Sequence, residues 1–150
     1  MISAGAVVVA ALVPVVLPRL LDAAARPTVP RELSIRIAES DDIPFRKVTA
    51  VIPGARPEAG EYVRLGIRNA LSSIYEFYPC TVDADGTATC RNLVFGRDAT
   101  ETGVWEVAAV IVDDNGREKI NENGAKGRDD LSGWFRESLR GFGSVTVSRG

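Results

Sequence analysis

No histidine occurs among the 150 residues of the chain, which removes the side chain most often used to move protons or bind metals near neutral pH. Only two cysteines are present, without C-x-x-C spacing or a neighbouring imidazole to lower a thiol pKa, so redox catalysis is disfavoured. Basic charge is not in excess either. The 18 Lys and Arg face 20 Asp and Glu for a net charge of −2, which leaves nothing to neutralise a phosphate backbone and excludes nucleic acid as the expected partner. There is no G-x-S-x-G elbow, and Gly124-Ala125-Lys126-Gly127 lacks the Walker spacing and reads as a connection. Acidic pairs are plentiful, but no spacing matches an acid with its base. On these absences we assign no catalytic residue, no metal ligand and no cofactor. A noncatalytic protein is expected, with an uncharacterised hydrolase as the least favoured reading.

Charge is also missing locally. Residues 1–18 carry no charged side chain, and every Lys, Arg, Asp and Glu lies at Arg19 or beyond. Setting aside Arg19, Arg26, Arg31 and Asp22 leaves 15 basic and 19 acidic residues in 32–150. The chain therefore divides into an apolar leader (1–21), a linker (22–32) marked by Pro27 and Pro30, and a folded domain (33–150). An uncharged run of this length is just sufficient for a single-pass transmembrane helix. The competing reading is a cleaved signal peptide, for which Ala23-Ala24-Ala25 supplies the small-residue cleavage pattern, although no basic side chain precedes the run. Arg19, Arg26 and Arg31 follow it, so the positive-inside rule places the domain in the cytoplasm. Export to the cell envelope is the alternative.

Within 33–150 the patterning is mostly of period two. Leu33, Ile35 and Ile37 alternate with Ser34 and Arg36, and residues 46–53 form another β-prone run. Val63, Leu65 and Ile67 share one face of a strand whose other face carries Arg64 and Arg68, read as solvated. Residues 73–78 are aromatic and β-rich. Residues 104–112 are almost continuously apolar, as in a central strand covered on both faces, and Asp113-Asp114-Asn115-Gly116 reads as the turn that ends it. One helix of about three turns is expected, with Asp129 and Asp130 near its start, Leu131, Trp134, Phe135 and Leu139 on its apolar face, and Gly141 at its end. Residues 143–148 return to strand. The expected fold is mainly β: an antiparallel, Ig-like β-sandwich of about seven strands, with one short helix before the last strand and a transmembrane helix before the domain.

Between Cys80 and Cys90 the sequence fixes its own register. A three-residue loop, Ala84-Asp85-Gly86, with Gly86 in the left-handed position, makes Asp83 and Thr87 the closing pair. Counting outward brings Cys80 opposite Cys90. A cross-strand disulfide and two reduced, packed thiols both remain open, because opposed cysteines favour export whereas the arginine flank favours the cytoplasm. Asp83-x-Asp85-Gly86 and Asp113-Asp114-Asn115-Gly116 are fragments of calcium-loop patterns, but neither completes one, and turn formation accounts for both.

Aromatic side chains provide the binding hypothesis. Trp105, Trp134 and Phe135 are explained by core spacing, which leaves Tyr75 and Tyr78 as the candidate binding surface. The run Ser73-Ile74-Tyr75-Glu76-Phe77-Tyr78-Pro79-Cys80, then Asp85-Gly86-Thr87, Cys90, Val94-Phe95-Gly96 and Gly103-Val104-Trp105-Glu106-Val107, resembles an uncharacterised Ig-like β-sandwich module attached to actinobacterial membrane or multidomain proteins. The resemblance covers about 47–113 and implies an accessory role without catalytic residues to transfer. Taken together, the expected protein is a membrane-anchored, noncatalytic β-sandwich that presents a surface to an unknown protein or ligand. The alternative is an exported, disulfide-stabilised envelope protein that binds glycan.

Overall fold

A computed structural model describes residues 29–38 and 43–149. The leader and residues 22–28 of the linker, with the anchor and signal-peptide expectations placed on them, lie outside the described residues. Among the described residues no helix is long and apolar enough to cross a membrane.

Among the described residues the domain is mainly β, built from two sheets and two short helices. Its strands are β1 (Arg31–Glu32), β2 (Arg36–Ile37), β3 (Val48–Ile52), β4 (Tyr62–Asn69), β5 (Ile74–Pro79), β6 (Thr81–Val82), β7 (Ala88–Leu93), β8 (Gly103–Val112), β9 (Lys126–Arg128) and β10 (Leu139–Arg149). Helix α1 spans Asp114–Glu122, and α2 spans Leu131–Phe135 with a 3₁₀ turn at Arg136–Ser138. One sheet has the order β1-β10-β8-β4-β5-β9, the other β2-β3-β7-β6. All pairings are antiparallel except that of β1 with β10.

Alternation along β4 and β8 explains how the layers assemble. Val63, Leu65, Ile67, Trp105, Val107, Ala109 and Ile111 face the smaller sheet and pack with Val48, Ala50, Ile52, Ala88, Cys90 and Leu93. The intervening residues of β8, Ala108, Val110 and Val112, face the helices and join Tyr75, Phe77, Ile120, Leu131, Trp134 and Phe135 in a second core. Every residue from Val107 to Val112 is fully buried, because β8 is the strand covered by a layer on each side.

That second layer corrects the solvated face expected of β4. Gly66 is buried, and a Cβ there would lie 2.9 Å from the Phe77 ring. Arg64 and Arg68 are half-buried. Desolvation, then the charge of Arg117, lowers the Arg64 pKa, and the Arg68 guanidinium lies over the Tyr75 ring at 5.4 Å.

Helix α1 stands where a turn was expected. Asp113 is its N-cap, accepting a hydrogen bond from Gly116 N at 3.0 Å, so residues typical of turns here start a helix. The apolar period is nearly absent from it, since only Gly116 and Ile120 are buried, and Gly116 allows close packing: a Cβ would meet Val112 Cβ at 2.6 Å. Conversely, the helix expected to reach Gly141 ends at Phe135. Arg136 has φ +55°, which stops α-helical propagation, and Leu139 enters the same core from the first position of β10.

The strand expected at 33–37 is divided between the sheets. β1, which falls in the segment read as linker, lies beside β10 in the large sheet, and β2 lies beside β3 in the small one. Leu33 N donates to Phe142 O at 2.9 Å as the chain crosses over. A Cβ on Gly143 would sit 1.9 Å from Leu33 O, and a backbone oxygen cannot swing aside as a side chain can. Gly143→Ala is therefore expected to cost about 1–3 kcal/mol by overpacking. Hydrogen exchange of the Leu33 amide should accelerate while β8 stays protected; an unchanged Leu33 amide would refute the steric argument.

The hairpin of β6 and β7 pairs Thr81 with Thr89 and Val82 with Ala88. Asp83 N donates to Thr87 O at 3.0 Å, and Gly86 takes φ +89°, a conformation suited to glycine. A disulfide joins Cys80 to Cys90, with a Cα–Cα distance of 4.3 Å.

Candidate functional site

Strand alternation separates the two candidate tyrosines. Tyr75 and Tyr78 are three residues apart, an odd spacing, so they project from opposite faces of β5. Tyr75 is 3% exposed and belongs to the helix-side core. Desolvation raises its pKa, opposed by a hydrogen bond with Arg68. It is not part of an exposed surface. Tyr78 is half-buried on the other face, where it packs against the core between the sheets and lines a cleft of about 370 Å³.

One wall of this cleft comes from β5 and the turn before it. Ile74, Glu76 and Tyr78 share a face of the strand and all line the cleft, together with Asn69 and Ser72. The turn is held by short-range bonds: Asn69 Oδ1 accepts from Leu71 N at 2.9 Å, Ser72 Oγ from Ile74 N at 3.1 Å, and Arg68 Nη1 donates to Ser72 O at 2.7 Å. Desolvation, reinforced by the Glu76 charge, pushes the Tyr78 phenol above its ordinary pKa, against a backbone hydrogen bond at Val94. The phenol thus remains protonated through the neutral range, able to donate as well as accept.

The opposite wall is the loop between β7 and β8, with Val94, Gly96, Arg97 and Glu101 on the cleft. Asp98 organises it: Oδ1 accepts from Thr100 N at 2.9 Å, Thr100 Oγ1 at 2.7 Å and Glu101 N at 3.1 Å. These bonds, the Thr100 hydroxyl foremost, hold the Asp98 carboxyl below its ordinary pKa. Glu101 Oε1 accepts from Arg97 N at 2.6 Å and lies 3.8 Å from Arg97 Nε. Gly96 has φ +107°, and a Cβ there would lie 3.0 Å from Glu101 Oε1, so glycine lets the carboxylate lie across the backbone. Trp105 also lines the cleft while being 2% exposed, edge-on to Phe95 with ring centroids 6.3 Å apart.

Chemically, the cleft combines a phenol, an amide, a hydroxyl, two carboxylates and a guanidinium with partly apolar walls. It is suited to a ligand that offers many hydroxyl or amide groups and one flat apolar face. Glu76 and Glu101 together outweigh Arg97 in charge, which disfavours anionic ligands.

Of the two candidate tyrosines, Tyr78 lines the cleft and Tyr75 does not; the sequence reading did not group Asn69, Ser72, Glu76, Arg97 and Glu101 with Tyr78. The period-two pattern of β5 could have placed Glu76 beside Tyr78. Nothing local indicated that the loop at 94–101 would face them. The acidic hairpin stays apart from the cleft: Asp83 Oδ1 accepts from Asp85 N at 3.2 Å and Thr87 N at 3.1 Å, and Asp85 Oδ1 from Thr87 N at 2.9 Å. Its carboxylates are thereby engaged in closing the turn. No group of three or more His, Cys, Asp or Glu placed to hold a metal occurs among the described residues. Neither a protein-family model nor a curated protein matches this chain.

Proposed function

We propose that this protein is a noncatalytic binding module, tethered to or exported across the cell membrane by its apolar leader, that takes a neutral or amino-sugar glycan in the cleft between β5 and the β7–β8 loop. The observation that carries the reading is the juxtaposition of Tyr78 with Asn69, Ser72 and Glu76 on one wall and Arg97 and Glu101 on the other. A sugar ring presents an apolar face to an aromatic side chain and hydroxyls to the polar groups around it. The Cys80–Cys90 disulfide favours the oxidising side of the membrane over the cytoplasmic placement inferred from Arg19, Arg26 and Arg31, because thiols are kept reduced in the cytosol.

The test is titration calorimetry with soluble tetrasaccharides of glucose and of N-acetylglucosamine. Binding to either is expected, with Tyr78→Ala and Glu76→Gln each weakening it about tenfold, equivalent to about 1.4 kcal/mol. Absence of binding to both saccharides, or full affinity in both variants, would reject this reading. Release of shorter saccharides during the titration would instead favour hydrolysis by Glu76 and Glu101.

A protein partner is the second reading, and it rests on a different observation. Leu71 is 97% exposed at the tip of the β4–β5 turn, with Ile74 at 48% and Val104 at 42%, and Ala70 N donates to Val104 O at 2.9 Å. These apolar groups border the cleft wall and offer an anchor to another protein.

A further inference from the structure

We propose that Arg149, at the end of β10, is the positioning residue of the cleft: its guanidinium fixes the β7–β8 loop in the shape that makes it a binding wall. The inference rests on the reading of the cleft as a ligand site, and it concerns how that site is formed before the ligand arrives.

β10 runs antiparallel to β8, and its last pair joins Arg149 to Gly103. This places Arg149 where the loop re-enters the sheet. Its Nε donates to Ile43 O at 3.2 Å, Nη1 donates to Phe95 O at 3.0 Å and Glu101 O at 2.5 Å, and Nη2 donates to Ala99 O at 3.1 Å. The same group lies 5.8 Å from the Phe45 ring centroid and 6.0 Å from that of Trp105. All four acceptors are backbone carbonyls, drawn from two irregular stretches that are joined by the main-chain bond from Phe95 N to Phe45 O at 2.7 Å.

A guanidinium suits this task because its donors radiate in one plane and its charge strengthens each bond to a carbonyl dipole. Asp98 and the Glu101 carboxylate close the loop on itself; Arg149 ties the closed loop to the sheet. With the carbonyls of Phe95, Ala99 and Glu101 fixed, the main chain between them has little freedom, and Arg97 and Glu101 are held along the cleft. Ordering these residues in advance lowers the entropy lost when a ligand binds. Lysine cannot substitute fully, since one ammonium has three donors on a single atom and cannot span four carbonyls set around a plane.

The experiment compares the full chain with Arg149→Ala and Arg149→Lys. It reads hydrogen exchange at 96–101 and at 107–111, and affinity for the tetrasaccharide that the unaltered protein binds. In Arg149→Ala, amides at 96–101 are expected to exchange at least about tenfold faster while those of β8 are unchanged, with affinity about tenfold weaker; Arg149→Lys should fall between. Unchanged exchange in the loop overturns the proposal. So does a loosened loop with full affinity, and so does equal acceleration of loop and β8 in both variants, which would make Arg149 a general stabilising residue. If the unaltered protein binds neither saccharide, the glycan reading fails, and the exchange pattern alone decides whether Arg149 fixes the loop.

Discussion

Phe77→Ala is expected to destabilise the domain by about 3–5 kcal/mol, the range for removing a large buried aromatic side chain. For a domain of this size that is a fall in Tm on the order of 10–20 °C. Phe77 is 5% exposed and lies at the centre of the helix-side core. Its ring is stacked with Trp134 at 6.3 Å, edge-on to Phe135 at 5.9 Å and tilted against Tyr75 at 6.0 Å. The backbone is fitted to it as well: a Cβ on Gly66 of β4 would lie 2.9 Å from the ring and one on Gly127 of β9 2.6 Å from it. Removing the ring leaves a cavity flanked by two glycines that have no side chains with which to fill it. Helix α2 would lose the ring against which Trp134 and Phe135 pack. Thermal denaturation followed by near-ultraviolet circular dichroism tests this, because Trp134 in the disrupted core and Trp105 in the core between the sheets are both buried and both contribute to the signal. A loss below about 1 kcal/mol would mean that α2 is not a cooperative part of the domain.

The second large effect is expected from the disulfide. Replacing both Cys80 and Cys90 by alanine should cost about 3 kcal/mol by the chain-entropy model for a loop of this length. Position adds to the argument. β5 ends at Pro79 in the large sheet, and β6 begins at Thr81 in the small one, so Cys80 is the residue at which the chain changes sheets. Its bond to Cys90, which is fully buried in the core between the sheets, fixes that change of direction. A reductant should destabilise the unaltered protein by a similar amount and leave the double variant unaffected. Thiol labelling of unreduced protein from intact cells should modify neither cysteine. Two reactive thiols would return the domain to the cytoplasmic side that the arginine flank favours.

How far each feature could be read in advance depends on how local its cause is. The apolar face of β4 and the double burial of β8 were legible, because alternation and a continuous apolar run report burial directly; the half-burial of Arg64 and Arg68 on the other face of β4 was not. The opposition of Cys80 and Cys90 was legible too, since a short hairpin with glycine at its bend allows few registers. α1 was not, because Asp113 and Gly116 serve equally in a turn or at a capped helix start, and Ile120 alone gives no period. Tyr75 was misplaced as a surface residue although its odd spacing from Tyr78 already put the two on opposite faces.

By itself the sequence determined that a charge-free stretch, residues 1–18, precedes an acidic, histidine-free, mainly β region, and which apolar side chains of β4 point together. These properties follow from composition and from the two-residue period of a strand, both of which act within a few residues. Only the tertiary structure decided that the arginines of β4 are half-buried, with Arg68 over Tyr75, that the chain crosses between sheets beside Gly143, and that Arg149 gathers carbonyls from residues 43 and 95–101. Each depends on segments far apart in the chain meeting at one place, and a backbone carbonyl that awaits a distant guanidinium is the same in every residue. The cleft beside Tyr78 is therefore a product of packing, assembled from residues that carry no common motif.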